Sequence, residues 1–244
     1  MKLIVPVKSN STRVENKNFR KFYKDKSITD ILLEKIAFKG YSNIYISSDD
    51  DSKKSIAESY GCNFLLRDKR LTDNDTPMRE VVQEICKQLP SGDDDIAWCQ
   101  ASDPLFDDYH AAFQQWEQNR ESYDSLVVVY PIKKYLLNES YIPINFGFGH
   151  WHVKSQNLAT FYDLTFTLSI LKREWVENCG YHIGSKPNWF QAKNEHIDID
   201  TMSDFELAQL IFSQQQEIKN WKFHHGKNHN KRKNIYCSRR IKRL

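Results

Sequence analysis

With 244 residues, 40% of them hydrophobic and 13% aromatic, the chain carries enough apolar material for one sizeable α/β domain and too much for a disordered one. No apolar run approaches the roughly eighteen residues of a membrane span, and no long apolar stretch precedes the first strand, so a cytoplasmic protein is expected. The net charge of +3 conceals an asymmetry: residues 222–244 hold nine Lys or Arg and no acid, which leaves 26 of the 35 basic residues against all 32 acids in the remainder, a balance of −6.

Leu3-Ile4-Val5-Pro6-Val7 is a short β-branched run that predicts a buried strand. The polar stretch Lys8–Asn18 follows, with cations at Lys8, Arg13 and Lys17 and short donors at Ser9, Asn10 and Ser11. Folded back on itself, such a loop points all three cations at one anion, the way α/β proteins present phosphates. Taken alone the stretch is equally a solvated basic loop, and it contains neither a dinucleotide fingerprint nor a P-loop. The periodicity then predicts a helix over 28–38, capped by Ser27 or Thr29 and ended by Gly40, a strand over 43–47, a helix over 52–60 closed by Gly61, and a strand over 62–66. A helix over 77–89 starts at Pro77, a strand covers 95–100, a helix 109–119 and a strand 125–130. This alternation predicts a mostly parallel sheet covered on both faces, with ligands at the C-terminal ends of the strands.

Residues 133–194 are aromatic-rich and weakly patterned, and are read as a substrate-covering and dimer-forming excursion of a domain spanning 1–221. A short strand at Ile197 and Ile199 and a helix from Ser203 to Ile218, capped by Ser203 or Thr201, close that domain, and 222–244 forms a basic tail expected to be a solvated extension. Basic residues interspersed with Trp221, Phe223 and Tyr236 are also a way to hold RNA or an anionic surface. The five cysteines, Cys62, Cys86, Cys99, Cys179 and Cys237, are odd in number with no C-x-x-C pair, which fits reduced thiols and no structural zinc.

Three stretches carry candidate chemistry. In a strand, Asp198 and Asp200 project to one face while Ile197 and Ile199 pack behind, and two such carboxylates suit Mg²⁺ with waters retained. A helix cap explains one of these acids but not the alternating pair. In Gln100-Ala101-Ser102-Asp103-Pro104, the proline fixes a turn after a buried strand and presents an amide and a hydroxyl. Arg67 follows the strand over 62–66 and precedes the polar loop 72–76 with Thr76, and a surface ion pair is one reading of it.

These stretches resemble, in order, the blocks of the acylneuraminate and Kdo (3-deoxy-manno-octulosonate) cytidylyltransferases. Pro6, Ser11, Arg13, Val14, Lys17 and Asn18 match the signature I-P-A-R-x-x-S-x-R-[LV]-x-x-K-[NP], with Lys8 at the usual Arg. Ile46–Asp50 is similar to V-S-T-D-D, whose acids read as surface loop. Cys99–Leu105 is similar to L-Q-x-[TS]-[SD]-P-L, and Ile197–Ala208 to I-D-I-D-T-x-x-D-F-x-x-A. Lys154-Ser155-Gln156-Asn157-Leu158 is similar to R-S-Q-x-L-P, departing at Lys154 and Ala159.

The resemblance implies a three-layer, Rossmann-like fold of the nucleotide-diphospho-sugar transferase type. It implies CTP and a nonulosonic or related 3-deoxy sugar acid as substrates, and a homodimer. Lys8, Ser9, Asn10, Ser11, Arg13, Lys17, Arg67, Thr76 and Gln100 would hold the nucleotide. Gln100, Ser102, Lys154 and Gln156 would hold the acceptor. Asp198 and Asp200 would hold Mg²⁺, with Asp103 considered as a third ligand, and Arg13, Lys17 and Asp200 would carry catalysis. A transferase for a sugar or polyol phosphate, and a non-catalytic nucleotide- or RNA-binding protein acting through the basic tail, are the alternatives. Otherwise nucleic acid is not an expected partner.

Overall fold

The apolar run Leu3-Ile4-Val5 builds the centre of β1 (Lys2–Pro6), and its complete burial fits the strand's place in the middle of the sheet. The computed structural model describes residues 1–37, 41, 43–92, 94–193 and 196–240, with side chains described through Lys222. After β1 come β2 (Lys21–Tyr23), β3 (Lys26–Ser27), α1 (Ile28–Ala37), β4 (Ile44–Ser48), α2 (Lys54–Ser59), β5 (Asn63–Leu66), α3 (Met78–Lys87), β6 (Ile96–Cys99) and α4 (Tyr109–Asn119). The chain continues through β7 (Ser125–Ile132), β8 (Phe161–Asp163), β9 (Leu168–Leu171), α5 (Arg173–Cys179), β10 (Pro187–Gln191) and α6 (Met202–Arg240).

The main sheet has the order β10-β7-β9-β6-β1-β4-β5, with β8 added beside β7. Pairings of β1 with β4 and β6, of β4 with β5 and of β10 with β7 are parallel, while β9 runs antiparallel to both β6 and β7. Two reversals cancel, so β5, β4, β1, β6, β7 and β10 all end on the same edge. Alternation along the strands divides the core. Leu3, Val5, Ala97, Leu126 and Ile170 pack with buried side chains of α1, α4 and α6 on one face. Ile4, Tyr45, Trp98 and Leu171 pack with those of α3 and α5 on the other. The expected α/β fold with a mostly parallel sheet is the one observed.

Four local expectations change. The hairpin β2–β3 has strands of three and two residues, too short for any period to reveal. Within 133–194, β9 is wholly buried and enters the sheet between β6 and β7, and α5 and β10 also belong to the layers, so the exposed part shrinks to about 133–160. Four apolar or small residues bounded by turns look alike in sequence whether they line a core or a projection. Among the described residues the stretch 196–200 joins no ladder, and its backbone–backbone bond to the strand ends runs from the Ile199 amide to the Ser102 carbonyl, at 2.9 Å. Finally, α6 runs past Ile218 to Arg240, for no proline interrupts it and Gly226 is its only glycine.

Ser27 caps α1 in a reciprocal box with Asp30, whose carboxylate accepts from the Ser27 amide and hydroxyl at 2.8 and 2.6 Å. Cys62, Cys86, Cys99 and Cys179 are free thiols, and burial pushes the Cys86 thiol up to about 12. Among the described residues no helix is long and apolar enough to cross a membrane. Gly40, expected to end α1, and the side chains of the basic segment from Phe223 onward, Cys237 included, lie outside the described residues.

Candidate active site

The loop after β1 closes into a compact turn because short polar side chains replace the backbone partners it lacks. Asn18 donates from Nδ2 to the Lys8 carbonyl at 2.9 Å, tying the two ends together. The Asn18 carbonyl in turn accepts from the Thr29 hydroxyl at 2.7 Å, anchoring the turn to α1. Val14 is fully buried beneath it, and Asn16, at φ +54°, accepts from the Phe19 and Arg20 amides. Asn10 is exposed and Ser11 half-buried along the outer bend.

Ser9 is the anchor on the other side. Its amide and hydroxyl both donate to Asp49, at 2.7 and 2.5 Å. Asp49 follows β4, the direct parallel neighbour of β1, so the sheet itself brings the two loops side by side. Burial works to raise the Asp49 pKa, but the Ser9 bonds and the Arg67 charge outweigh it and hold the carboxyl below the usual range. Reading both acids after β4 as surface loop is therefore half wrong. Asp50 caps a short 3₁₀ turn at the surface, accepting from the Ser52 amide at 3.0 Å, whereas Asp49 is buried and clamps the cationic turn.

Two of the three cations of the turn meet the acidic stretch. Lys17 donates to the Ile199 carbonyl at 2.5 Å, and Arg13 Nη2 lies 2.7 Å from Asp200 Oδ1. Burial lowers the Lys17 pKa. The charges of Asp198 and Asp200 work to raise it, and those of Arg13 and Lys8 add to the lowering, so all five charged groups share one neighbourhood. Lys8 reaches across to Asn74 Oδ1 at 3.3 Å and brings in the 72–76 loop. The Arg13–Asp200 pair is 65% and 47% exposed, so it contributes at most about 1 kcal/mol and exchanges readily for a phosphate partner.

Asp198 and Asp200 lose the strand that was to align them, yet both remain at the turn. The acid that caps α6 is instead Asp204, which accepts from the Thr201 amide and hydroxyl at 2.7 and 2.8 Å and from the Asp200 amide at 3.1 Å. Asp198 and Asp200 are thereby free of capping duty, and Asp198 is exposed. Among the described residues no group of three or more His, Cys, Asp or Glu is arranged as a metal site. Two carboxylates fit Mg²⁺ here on the condition that phosphate and water oxygens complete its shell, which is the way this ion is usually held.

Asp103 does not join them. It is 3% exposed, and its oxygens are occupied by the Tyr130 hydroxyl at 2.6 Å, the Thr167 hydroxyl at 3.2 Å and the Leu105 and Phe106 amides at 3.2 and 3.3 Å. Burial raises its pKa, with the Tyr130 bond foremost among the contacts that offset it. A carboxylate committed to four donors is an organiser of the turn, and that corrects its reading as a third metal ligand. Ser102 is buried beside the Ile199 contact, and Gln100 is half-buried at the same strand end, its amide bonded to the Thr167 carbonyl.

Arg67 directly follows β5 and is buried, which overturns its reading as a surface pair. Burial lowers its pKa, Asp49 opposes this, and among the described residues its Nε has no hydrogen-bond partner. Thr76 donates to the Arg70 carbonyl at 2.8 Å and stiffens the 68–76 loop. Lys154 and Gln156 are exposed around a 3₁₀ turn pinned by buried Leu158, with no described contact to the cationic turn. Sequence reasoning also passed over His196, which stacks on Tyr130 at 3.8 Å between ring centres and meets Asp163 at 3.1 Å.

With this geometry, comparison with known proteins is informative. A family model described as cytidylyltransferase matches residues 3–144. The chain is 26% identical over 225 residues to the pseudaminic acid cytidylyltransferase of Campylobacter jejuni serotype O:2, covering 88% of this chain and 97% of that protein. Among solved structures, a CMP:2-keto-3-deoxy-manno-octonic acid synthetase complexed with CTP superposes with a TM-score of 0.61 at 13% identity, covering 88% of this chain and 98% of the other. The 4-diphosphocytidyl-2C-methyl-D-erythritol synthase of Anaerococcus prevotii superposes with a TM-score of 0.58 at 11% identity, covering 87% and 98%. At such identities the two structures speak for the fold alone.

Proposed function

Since the chain belongs to the cytidylyltransferase family, we propose that it transfers CMP from CTP to the anomeric hydroxyl of a nonulosonic sugar acid of the pseudaminic type, releasing pyrophosphate. The near full-length similarity to a pseudaminic acid cytidylyltransferase supports this acceptor class. The observation that carries the reading is the meeting of the cationic turn with the acidic stretch, Lys17 bonding the Ile199 carbonyl and Arg13 lying 2.7 Å from Asp200.

The acceptor oxygen forms its bond to the α-phosphorus as the bond to the departing pyrophosphate breaks, so no covalent enzyme intermediate is needed. Catalysis then rests on placement and on charge neutralisation. Arg13 leaves Asp200 and Lys17 keeps its amine in place to take up the charge growing on pyrophosphate. Lys8 and the amides of the turn hold the other phosphate oxygens, with Ser9 kept in register by Asp49. Arg67 offers buried donors to the nucleotide, and Gln100 and Ser102 border the acceptor. Asp198 and Asp200 would hold Mg²⁺, which when bound neutralises triphosphate charge.

A homodimer belongs to the same reading, supported by the exposure of Tyr141 (81%), Phe148 (68%) and Trp151 (79%). A cytoplasmic setting, where CTP is available, completes it. The test is pyrophosphate release from each of four nucleoside triphosphates with a nonulosonic acid, Kdo and a polyol phosphate. Release only with CTP and the nonulosonic acid is expected, and release with the polyol phosphate instead would overturn the assignment.

A further inference from the structure

Among the described residues the acidic stretch is bonded to the rest of the rim through the backbone of Ile199, near its C-terminal end. His196 begins that stretch, two residues before Asp198. Its ring lies on the Tyr130 ring at 3.8 Å between centres and 22° between planes, and its Nε2 is 3.1 Å from Asp163 Oδ2. Tyr130 and Asp163 are register partners in the β7–β8 pair, so one imidazole grips both strands at one rung. Tyr130 is itself fixed, because burial and the adjacent Asp103 push its phenol up and keep the O–H donating to that carboxylate at 2.6 Å. The grip therefore runs from a core carboxylate, through a buried ring, to the segment that bears Asp198 and Asp200. Ile199, between those acids, has its side chain fully buried, its amide on Ser102 and its carbonyl on Lys17.

We propose that Asp163 and His196 form a positioning pair that latches the stretch 196–200 to β7–β8 and so sets Asp198 and Asp200 against Lys17. The inference rests on the transferase reading above and deepens it. His196 acts here through stacking and one hydrogen bond, not by transferring a proton to substrate. Asp163 ends the strand through which the exposed segment 133–160 returns to the sheet, so the latch also joins the acceptor side of the rim to the acidic pair.

The test uses the full-length protein with Asp163→Ala, Asp163→Asn, His196→Phe and the double variant Asp163→Ala/His196→Phe. Asn retains a group that bonds to imidazole, while Phe retains the stack without the bond. Asp163→Ala and His196→Phe are each expected to lower kcat about tenfold with KM for CTP within about twofold, and the double variant to match either single one. Asp163→Asn is expected to restore turnover to within about twofold of the parent.

Independently of activity, exchange of the Ile199 amide should quicken about tenfold in Asp163→Ala while the β1 and β4 amides keep their parental rates. Parental kcat and Ile199 exchange in Asp163→Ala, or equal losses in the Asn and Ala variants, would overturn the latch. So would quickened exchange throughout the sheet. Asp198→Ala and Asp200→Ala separate this from the parent reading: full activity in both removes the transferase site itself, whereas loss in both with an unaffected Asp163→Ala removes only the latch.

Discussion

The two sides of the rim are built on opposite principles. Around the cationic turn, Ser9 bonds Asp49 and Lys17 bonds Ile199, each joining elements distant in the chain, while Asn18 closes the turn on Lys8. Residues 133–160, by contrast, bond chiefly to themselves. Asn145 bonds the Leu136 amide and Lys134 carbonyl, Asn138 bonds the Ile142 amide, and Tyr135 bonds the Val153 carbonyl. The first arrangement holds charges in place before substrate arrives, which is what electrostatic catalysis of phosphoryl transfer needs. The second leaves large rings in solvent and suits a surface that a ligand or second copy covers.

Breaking the preorganised side should have the largest consequence. Lys17→Ala and Asp200→Ala are each expected to lower kcat about 10²- to 10³-fold, the loss of one preorganised charge, and turnover within threefold of the parent would take that residue off the catalytic list. Next, Asp49→Ala strands the Ser9 donors at a half-buried position, and should raise KM for CTP about tenfold while costing about 1 kcal/mol in urea unfolding.

His182 sharpens the comparison from outside both regions. It is buried against Trp98 and Phe166, and burial pushes its pKa down to about 4. The unfolded chain takes up the proton near pH 6.5, so this stability is complete above that pH and is lost as pH falls toward 4. Unfolding at pH 7 and pH 5 should differ by about 2 kcal/mol more in the parent than in His182→Phe. The smallest effect belongs to the self-bonded side. Trp151→Ser should move monomer stability by no more than about 0.5 kcal/mol, while light scattering should register weakened self-association. An unchanged dimer would remove Trp151 from the contact.

Local pattern was enough for the parallel strands and for the polar turn after β1, because each is carried by residues adjacent in the chain. Helix capping was legible too, though only the structure chose between adjacent hydroxyls, selecting Ser27 for α1 and Thr201 with Asp204 for α6. Tertiary structure alone decided that β9 enters the sheet, that Asp49 clamps Ser9, that Arg67 is buried and that Asp103 turns inward to Tyr130. The physical reason is common to these cases. Burial, and the partner a carboxylate or guanidinium meets there, come from residues far along the chain, and hydrophobic periodicity says which face of an element is covered but not which distant polar group shares the cover.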